Sequence, residues 1–301
     1  MHCVHVEGTR AGLSIRRAVL PVAALLLLLE LPPRSEVARA AEADPPKATS
    51  SREAREDAIR GIPFDRFDPE VARQVRAVVD DASIFRRLPT QSVRCDPGLY
   101  EFLIDHPDAT VDLWQLLGMS KMSLVRSGDD TYEMDDGQGT TGQFRVIYRN
   151  PDTRVFYCTG GYEGKVFHRR VNGRCLLVLR TGYTREPSGE CLISSRLDTF
   201  IALEQVGAEL MVRTFKPLVG KVIDHNFIEA MAFAGSLSKT AEINAASTIA
   251  LSDRMRHVAP AEQRQLAELL AAIGAAAGEQ DAVRTADAEE PLPLGEALDR
   301  R

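Results

Sequence analysis

The chain has 301 residues, 27% of them charged, with a formal net charge of −6, and it is 44% hydrophobic. That length suits one or two domains, and the hydrophobic fraction is enough for a core. The acidity argues against nucleic acid or an anionic membrane surface as partner, since both select basic surfaces.

The first segment reads as a targeting signal. Arg10, Arg16 and Arg17 precede an apolar run from Ala18 to Leu29, and a small-residue site, Ala38-Arg39-Ala40, follows. That order of basic, apolar and small residues belongs to a secretory signal peptide over residues 1–40. The apolar run is short for a bilayer span, so the mature chain is expected to carry no transmembrane segment and to be exported, to the periplasm or outside the cell. An uncleaved signal-anchor is the rival reading. Five of the 37 basic and three of the 43 acidic side chains lie in residues 1–40, so their removal leaves a net charge of −8. Residues 41–61 are rich in Ala, Pro, Ser and charge. With so little to bury, they read as a disordered linker.

The domain proper is expected over 62–258. Asp68-Pro69-Glu70 is a helix start, with a cap, a proline in the first position and an acid in the first turn. Val71, Val75, Val78 and Val79 then give one apolar face up to about Asp81. Residues 83–94 alternate as a strand broken at Pro89. Asp96-Pro97 opens a second helix, Gly98 to Asp105, with Leu99, Phe102 and Leu103 on one face. His106-Pro107-Asp108 ends it, and a third short helix runs to Leu117 with Val111 and Trp114 on its inner side. Then the period changes to two. Met119–Ser127, Thr131–Asp135, Gln143–Arg149, Arg154–Thr159, Arg174–Tyr183 and Cys191–Leu203 read as strands. Between them stand turn-forming groups such as Asp136-Gly137, Asn150-Pro151-Asp152, Gly160-Gly161 and Asn172-Gly173. Short connections make these antiparallel neighbours. Lys165–Val171 is open between strand and loop. A long apolar helix follows, about Val206 to Ile243, carrying Val206, Leu210, Phe215, Val222, Phe227 and Met231 nearly all round, so a large element must bury it. Residues 259–301 hold a plausible helix, Pro260 to Ala277, with the stripe Leu266, Leu269, Leu270 and Ile273, then an acidic disordered tail.

This order resembles the START-like (SRPBCC, helix-grip) superfamily over about residues 84–240. The resemblance is carried by Ser92-Val93-Arg94-Cys95-Asp96-Pro97, by Leu99-Tyr100-Glu101-Phe102-Leu103, by Asp105-His106-Pro107 and Trp114, and by Arg196 to Ala234, the last strand running into the long helix. It implies an α+β fold: a curved antiparallel sheet of about seven strands wrapped around a long C-terminal helix, with two short helices after the first strand. Pro217, Gly220 and Gly235 depart from the pattern, and a proline there predicts a bend near Pro217–Gly220.

The same resemblance implies a space between sheet and helix for an apolar ligand, lipid or isoprenoid-like. Ile193, Ser195, Leu197, Thr199 and Ile201 alternate with Arg196, Asp198 and Phe200. Leu197, Thr199 and Ile201 on the last strand and Leu218 and Val222 on the long helix would line that space. A filled core gives the same alternation. Cys3 aside, four cysteines remain, and the family's strand order implies Cys95–Cys191 and Cys158–Cys175 disulfides in an exported chain; free buried thiols are the alternative. No spacing suggests a metal or cofactor. Asp224-His225 is the one acid–histidine pair on the long helix, but adjacent helical residues diverge, and a polar exposed turn is the simpler reading. His168 beside Arg169 and Arg170, and the acids Asp129, Asp130, Glu133, Asp135 and Asp136, read as solvated loop residues rather than anion or calcium sites. The leading function is non-covalent binding of an apolar small molecule. A cyclase- or aromatase-type enzyme and an envelope scaffold docking partners through the C-terminal helix are the alternatives.

Overall fold

The structure, a computed structural model, describes residues 47–164, 167–187, 189–204 and 208–289, without the side chains of 164, 167–169, 208–219, 221–222 and 281–289. The expected signal peptide and the last twelve residues lie outside the described set.

An α+β architecture in helix-grip layout results. Eight strands form one open, curved antiparallel sheet: β1 (Ile84–Arg87), β2 (Gln91–Arg94), β3 (Ser123–Gly128), β4 (Thr131–Asp135), β5 (Thr140–Arg149), β6 (Thr153–Gly164), β7 (Phe167–Arg185) and β8 (Cys191–Leu203). Their order is β1-β8-β7-β6-β5-β4-β3, with β2 also on β8. The expected count of about seven becomes eight because Pro89, which cannot donate to a ladder, divides the first strand. Ile84 pairs with Ile201 and Val93 with Ile193.

Two expected turns are not turns. Gly160-Gly161 lies inside β6 and Asn172-Gly173 inside β7, so residues 167–171 are strand. Gly142, Gly160 and Gly173 are register partners across three strands. A Cβ on Gly142 would stand 2.2 Å from the Thr159 carbonyl oxygen. The glycines therefore permit a close approach between strands rather than a reversal.

The convex face of the sheet carries its own apolar cluster: Phe85, Val155, Leu176, Val178 and Phe200. Helices α1 (Arg52–Arg60) and α2 (Pro69–Asp81) cover it with Ala54, Ala58, Val75, Val78 and Val79. Asp68 caps α2, accepting from the Glu70 N–H at 2.9 Å. Within the expected disordered linker, 41–61, the described residues 47–61 are instead structured: Thr49 bridges to Arg87, and Ser51 caps α1 by accepting from the Ala54 N–H. Two alanines one turn apart make its buried face, too small a signal to stand out against charged neighbours. Buried Asp198 on β8 receives Arg87 in two hydrogen bonds of 2.6 and 2.9 Å, and the same guanidinium reaches Asp57 of α1 at 2.8 Å. One arginine thus ties two strands and a helix together.

The concave face holds the larger core. Helices α3 (Pro97–Asp105) and α4 (Pro107–Leu116) close one side, and the long α5 (Ala208–Ser252) lies across β1 and β2. The two glycines that depart from the resemblance are seats on the sheet. Gly220 sits against the Arg86 guanidinium, and a Cβ on Gly235 would stand 3.2 Å from the Arg94 carbonyl oxygen. The backbone of α5 is helical through Pro217–Gly220, and its interruption falls at Asn244 (φ −150, ψ 74) instead. Helix α6 (Pro260–Glu289) continues well past Ala277, where a disordered tail was expected. It returns along α5 and touches α3. Leu266, Leu270 and Ile273 are buried in the concave core, so most of the stripe offered to a partner is already covered within the chain.

Candidate functional site

Between the concave face and α5 lies a cavity of about 170 Å³. Trp114 of α4, Phe156, Leu177 and Leu197 of the sheet, and Phe227 and Met231 of α5 are among its walls. The ring of Trp114 meets Phe233 edge-on, 5.9 Å between centroids, which fixes α4 against α5. The walls are almost wholly apolar, so the site can bury apolar surface and offers little to a charged ligand.

Of the residues expected to line the space, Leu197 does. Thr199 and Ile201 share its face and are buried in the same interface, but do not border the cavity. Leu218 and Val222 lie outside the described side chains. Phe227 and Met231 were among the apolar positions of the long helix, but its all-round apolarity gave no inward face from which to choose them. Phe156, Leu177 and Trp114 become walls only through the pairing of strands and the packing of α4.

Tyr100 in the cavity wall joins a buried polar network behind it. The Tyr100 hydroxyl is 2.6 Å from Ser195 Oγ, which is 3.0 Å from Thr181 Oγ1, and Tyr100 also donates to Met231 Sδ. Burial raises the Tyr100 pKa above its ordinary value, so this phenol stays protonated at neutral pH. Asp224 and His225 do not form a catalytic pair. Both are inside α5 rather than at an exposed turn. Asp224 takes a bidentate ion pair from Arg86, with Nε to Oδ1 at 2.7 Å, while His225 is exposed. Neither borders the cavity.

The four cysteines stand as thiols. The neighbour relations behind the expected disulfides are present: Cys158 is the register partner of Cys175, and the Cys95 N–H donates to the Cys191 carbonyl at 3.2 Å. His106, Asp108 and Glu262 have ligand-type atoms within 4.8 Å of one another. Arg126 already bonds both carboxylates, at 3.1 Å to Asp108 and 2.9 Å to Glu262. The cluster is therefore an ion-pair clamp holding α6 to the α3–α4 corner, with a guanidinium where a metal would sit. Among the acids of the β3–β5 turns, Asp136 is buried rather than solvated. It caps its turn by accepting from the Gln138 and Thr140 N–H groups. The side chain of His168 lies outside the described set. A larger depression, about 470 Å³, lies over Gly142 and Gly160 and is bordered by Glu133, Asp135 and Arg170. It is open and partly polar, so a ligand there would stay largely hydrated.

No protein-family model matches the chain, and no curated protein does. Solved structures similar to it include a truncated norcoclaurine synthase from Thalictrum flavum, 15% identical, covering 52% of this chain and 93% of that one with a TM-score of 0.34. A conserved protein from Geobacillus kaustophilus is 14% identical over 49% and 93% of the two chains, TM-score 0.34. Ara h 8.0201 is 12% identical over 47% and 97%, TM-score 0.26. At these scores the helix-grip layout rests on the chain's own topology.

Proposed function

We propose that this chain is a START-like binding protein that holds an apolar small molecule between sheet and α5, outside the cytosol. The carrying observation is the apolar cavity bounded by Trp114, Leu197, Phe227 and Met231. A packed interior has few voids larger than a water, whereas a dry apolar cavity of about 150 Å³ takes up a molecule the size of benzene. A space of about 170 Å³ suits a single ring or a short isoprenoid rather than a whole lipid chain. Binding would be driven by removal of apolar surface from water, roughly 25 cal/mol per Å². The export reading rests on the residue order of positions 1–40.

The test is native mass spectrometry and solvent extraction of the protein from its own host, with an NMR titration of the Met231 and Leu197 methyls by p-xylene. A co-purifying apolar compound, or saturable shifts at both methyls that Ala230→Trp abolishes, supports the reading. An empty protein whose methyls ignore p-xylene overturns it.

A further inference from the structure

Asn226 of α5 is 1% exposed, and among the described residues neither its amide nitrogen nor its carbonyl oxygen has a hydrogen-bond partner. Thr199 of β8 is likewise 1% exposed, with its hydroxyl unpaired. A buried polar group without a partner carries its full desolvation cost, and such groups are rare enough that each calls for a reason.

Their place supplies one. Ala230 and Phe233, four and seven residues after Asn226, both border the cavity, and residues so spaced share one helix face. Asn226 therefore extends the cavity-facing stripe of α5 by one turn. Thr199 follows Leu197 by two residues on the same strand face, and its register partner on β7 is Leu177, so both its neighbours are cavity walls. Arg86 is the β1 partner of Thr199 and pairs with Asp224, two residues before Asn226, so the two unpaired groups lie at a similar level along α5, with Asn226 and Asp224 on different sides of the helix. The polar atoms are sealed off from the cavity, whose volume is small beside the roughly 300–1,000 Å³ of ordinary ligand pockets. Growth toward these two groups is the direction in which displacement of the packing relieves an existing cost. The indole N–H of Trp114 is also unpaired, but it offers one donor, whereas Asn226 and Thr199 offer donors and acceptors together.

We infer that the ligand carries one uncharged hydroxyl on its apolar body, and that the cavity enlarges toward Asn226 and Thr199 to receive it. This rests on the binding function proposed above. An alcohol or phenol suits the site because its oxygen accepts from the Asn226 amide while its proton goes to the Asn226 carbonyl or the Thr199 hydroxyl. A carboxylate does not, because Arg86, the cation at that level, is already held by Asp224.

The experiment titrates p-xylene, p-cresol and p-toluate, closely matched in shape, into the full chain by calorimetry. Wild type is expected to bind the first two and reject p-toluate. Asn226→Leu, nearly isosteric, should weaken p-cresol about tenfold, the worth of one hydrogen bond to a buried partner, and leave p-xylene unchanged or tighter. Thr199→Val should act in the same direction by a few-fold, and covers the case in which Asn226→Leu fails to fold. If the p-cresol to p-xylene ratio is the same in wild type and in both variants, the hydroxyl assignment is wrong while apolar binding stands. If Trp114→Phe alone changes the ratio, the polar head lies at the other wall and the assignment is equally overturned. If neither neutral compound binds wild type, the binding function falls and this inference with it.

Discussion

The two faces of the same sheet are built to different standards. On the convex side, α1 and α2 fill an apolar cluster, and its buried charge, Asp198, is met at two oxygens by Arg87. On the concave side the core is larger, yet it keeps a cavity of about 170 Å³ and leaves Asn226 and Thr199 without partners among the described residues. Close packing and paired polar groups are the default of a folded interior. The convex side also has unpaired atoms, the Nε of Arg55, Arg180 and Arg196, so what marks the concave face as adapted to something other than stability is the cavity where the long helix meets the strands.

The comparison can be broken hardest on the convex side. Arg87→Ala leaves Asp198 buried and uncompensated, and should cost about 3–5 kcal/mol of unfolding free energy, measured by urea denaturation. A cost below about 1 kcal/mol, the range of exposed pairs, would show that water reaches Asp198 and that the convex face is no better built than the other. Next comes a pair of truncations. Phe200→Ala, whose ring packs 5.0 Å from Phe85 in the filled cluster, should cost about 3–5 kcal/mol, and Leu197→Ala, on a wall where space already exists, about 2–3 kcal/mol. Leu197→Ala should also admit a larger hydrocarbon than wild type accepts. If the order is reversed, the cavity is tighter than its volume implies.

How much of this was legible in the sequence follows the range of the interactions. The alternation of Ile193, Ser195, Leu197, Thr199 and Ile201 against Arg196, Asp198 and Phe200 reports strand and face directly, because side chains alternate with period two. The caps Asp68 and Asp96 were legible for the same reason: each bonds its own next residues. Gly160-Gly161 and Asn172-Gly173 misled because turn chemistry is local, while the row Gly142, Gly160 and Gly173 exists only through register across three strands. Helix α1 was lost because its apolar face is Ala54 and Ala58, and the Arg87–Asp198 pair because its partners are 111 residues apart. At the site, Leu197 was within reach of periodicity, whereas the inner face of α5 was not, because that helix is apolar nearly all round. The orphaned state of Asn226 was not, since a missing partner is a property of the fold and not of the residue.

A smaller effect sharpens that point. Asn226→Leu removes the unpaired amide and should raise the stability of the empty protein by about 1 kcal/mol, read as a higher urea midpoint at an unchanged slope. A loss of stability instead would mean that the amide is already bonded, and the contrast between the faces would shrink to the cavity alone.

The smallest expected effect concerns the thiols, all of which belong to or pack against the concave core. Burial pushes the Cys95 thiol up to about 12 and raises Cys158 and Cys175 as well. These groups stay protonated in the fold and ionise in the unfolded chain near the ordinary value of 9.0. The unfolded state therefore binds fewer protons above that pH, so stability is full below about pH 9 and falls as pH rises toward 12. At pH 8 the thiolate population at Cys95, Cys158 and Cys175 should be negligible, and iodoacetamide should label half-buried Cys191 first, with the other three labelled only on unfolding. Peptide mass spectrometry of a timed labelling series checks this. Labelling of Cys158 or Cys175 as fast as Cys191 would show that the sheet opens locally around this pair, and a Cys158–Cys175 disulfide in protein from its own host would show that the register pair is oxidised before the concave core closes.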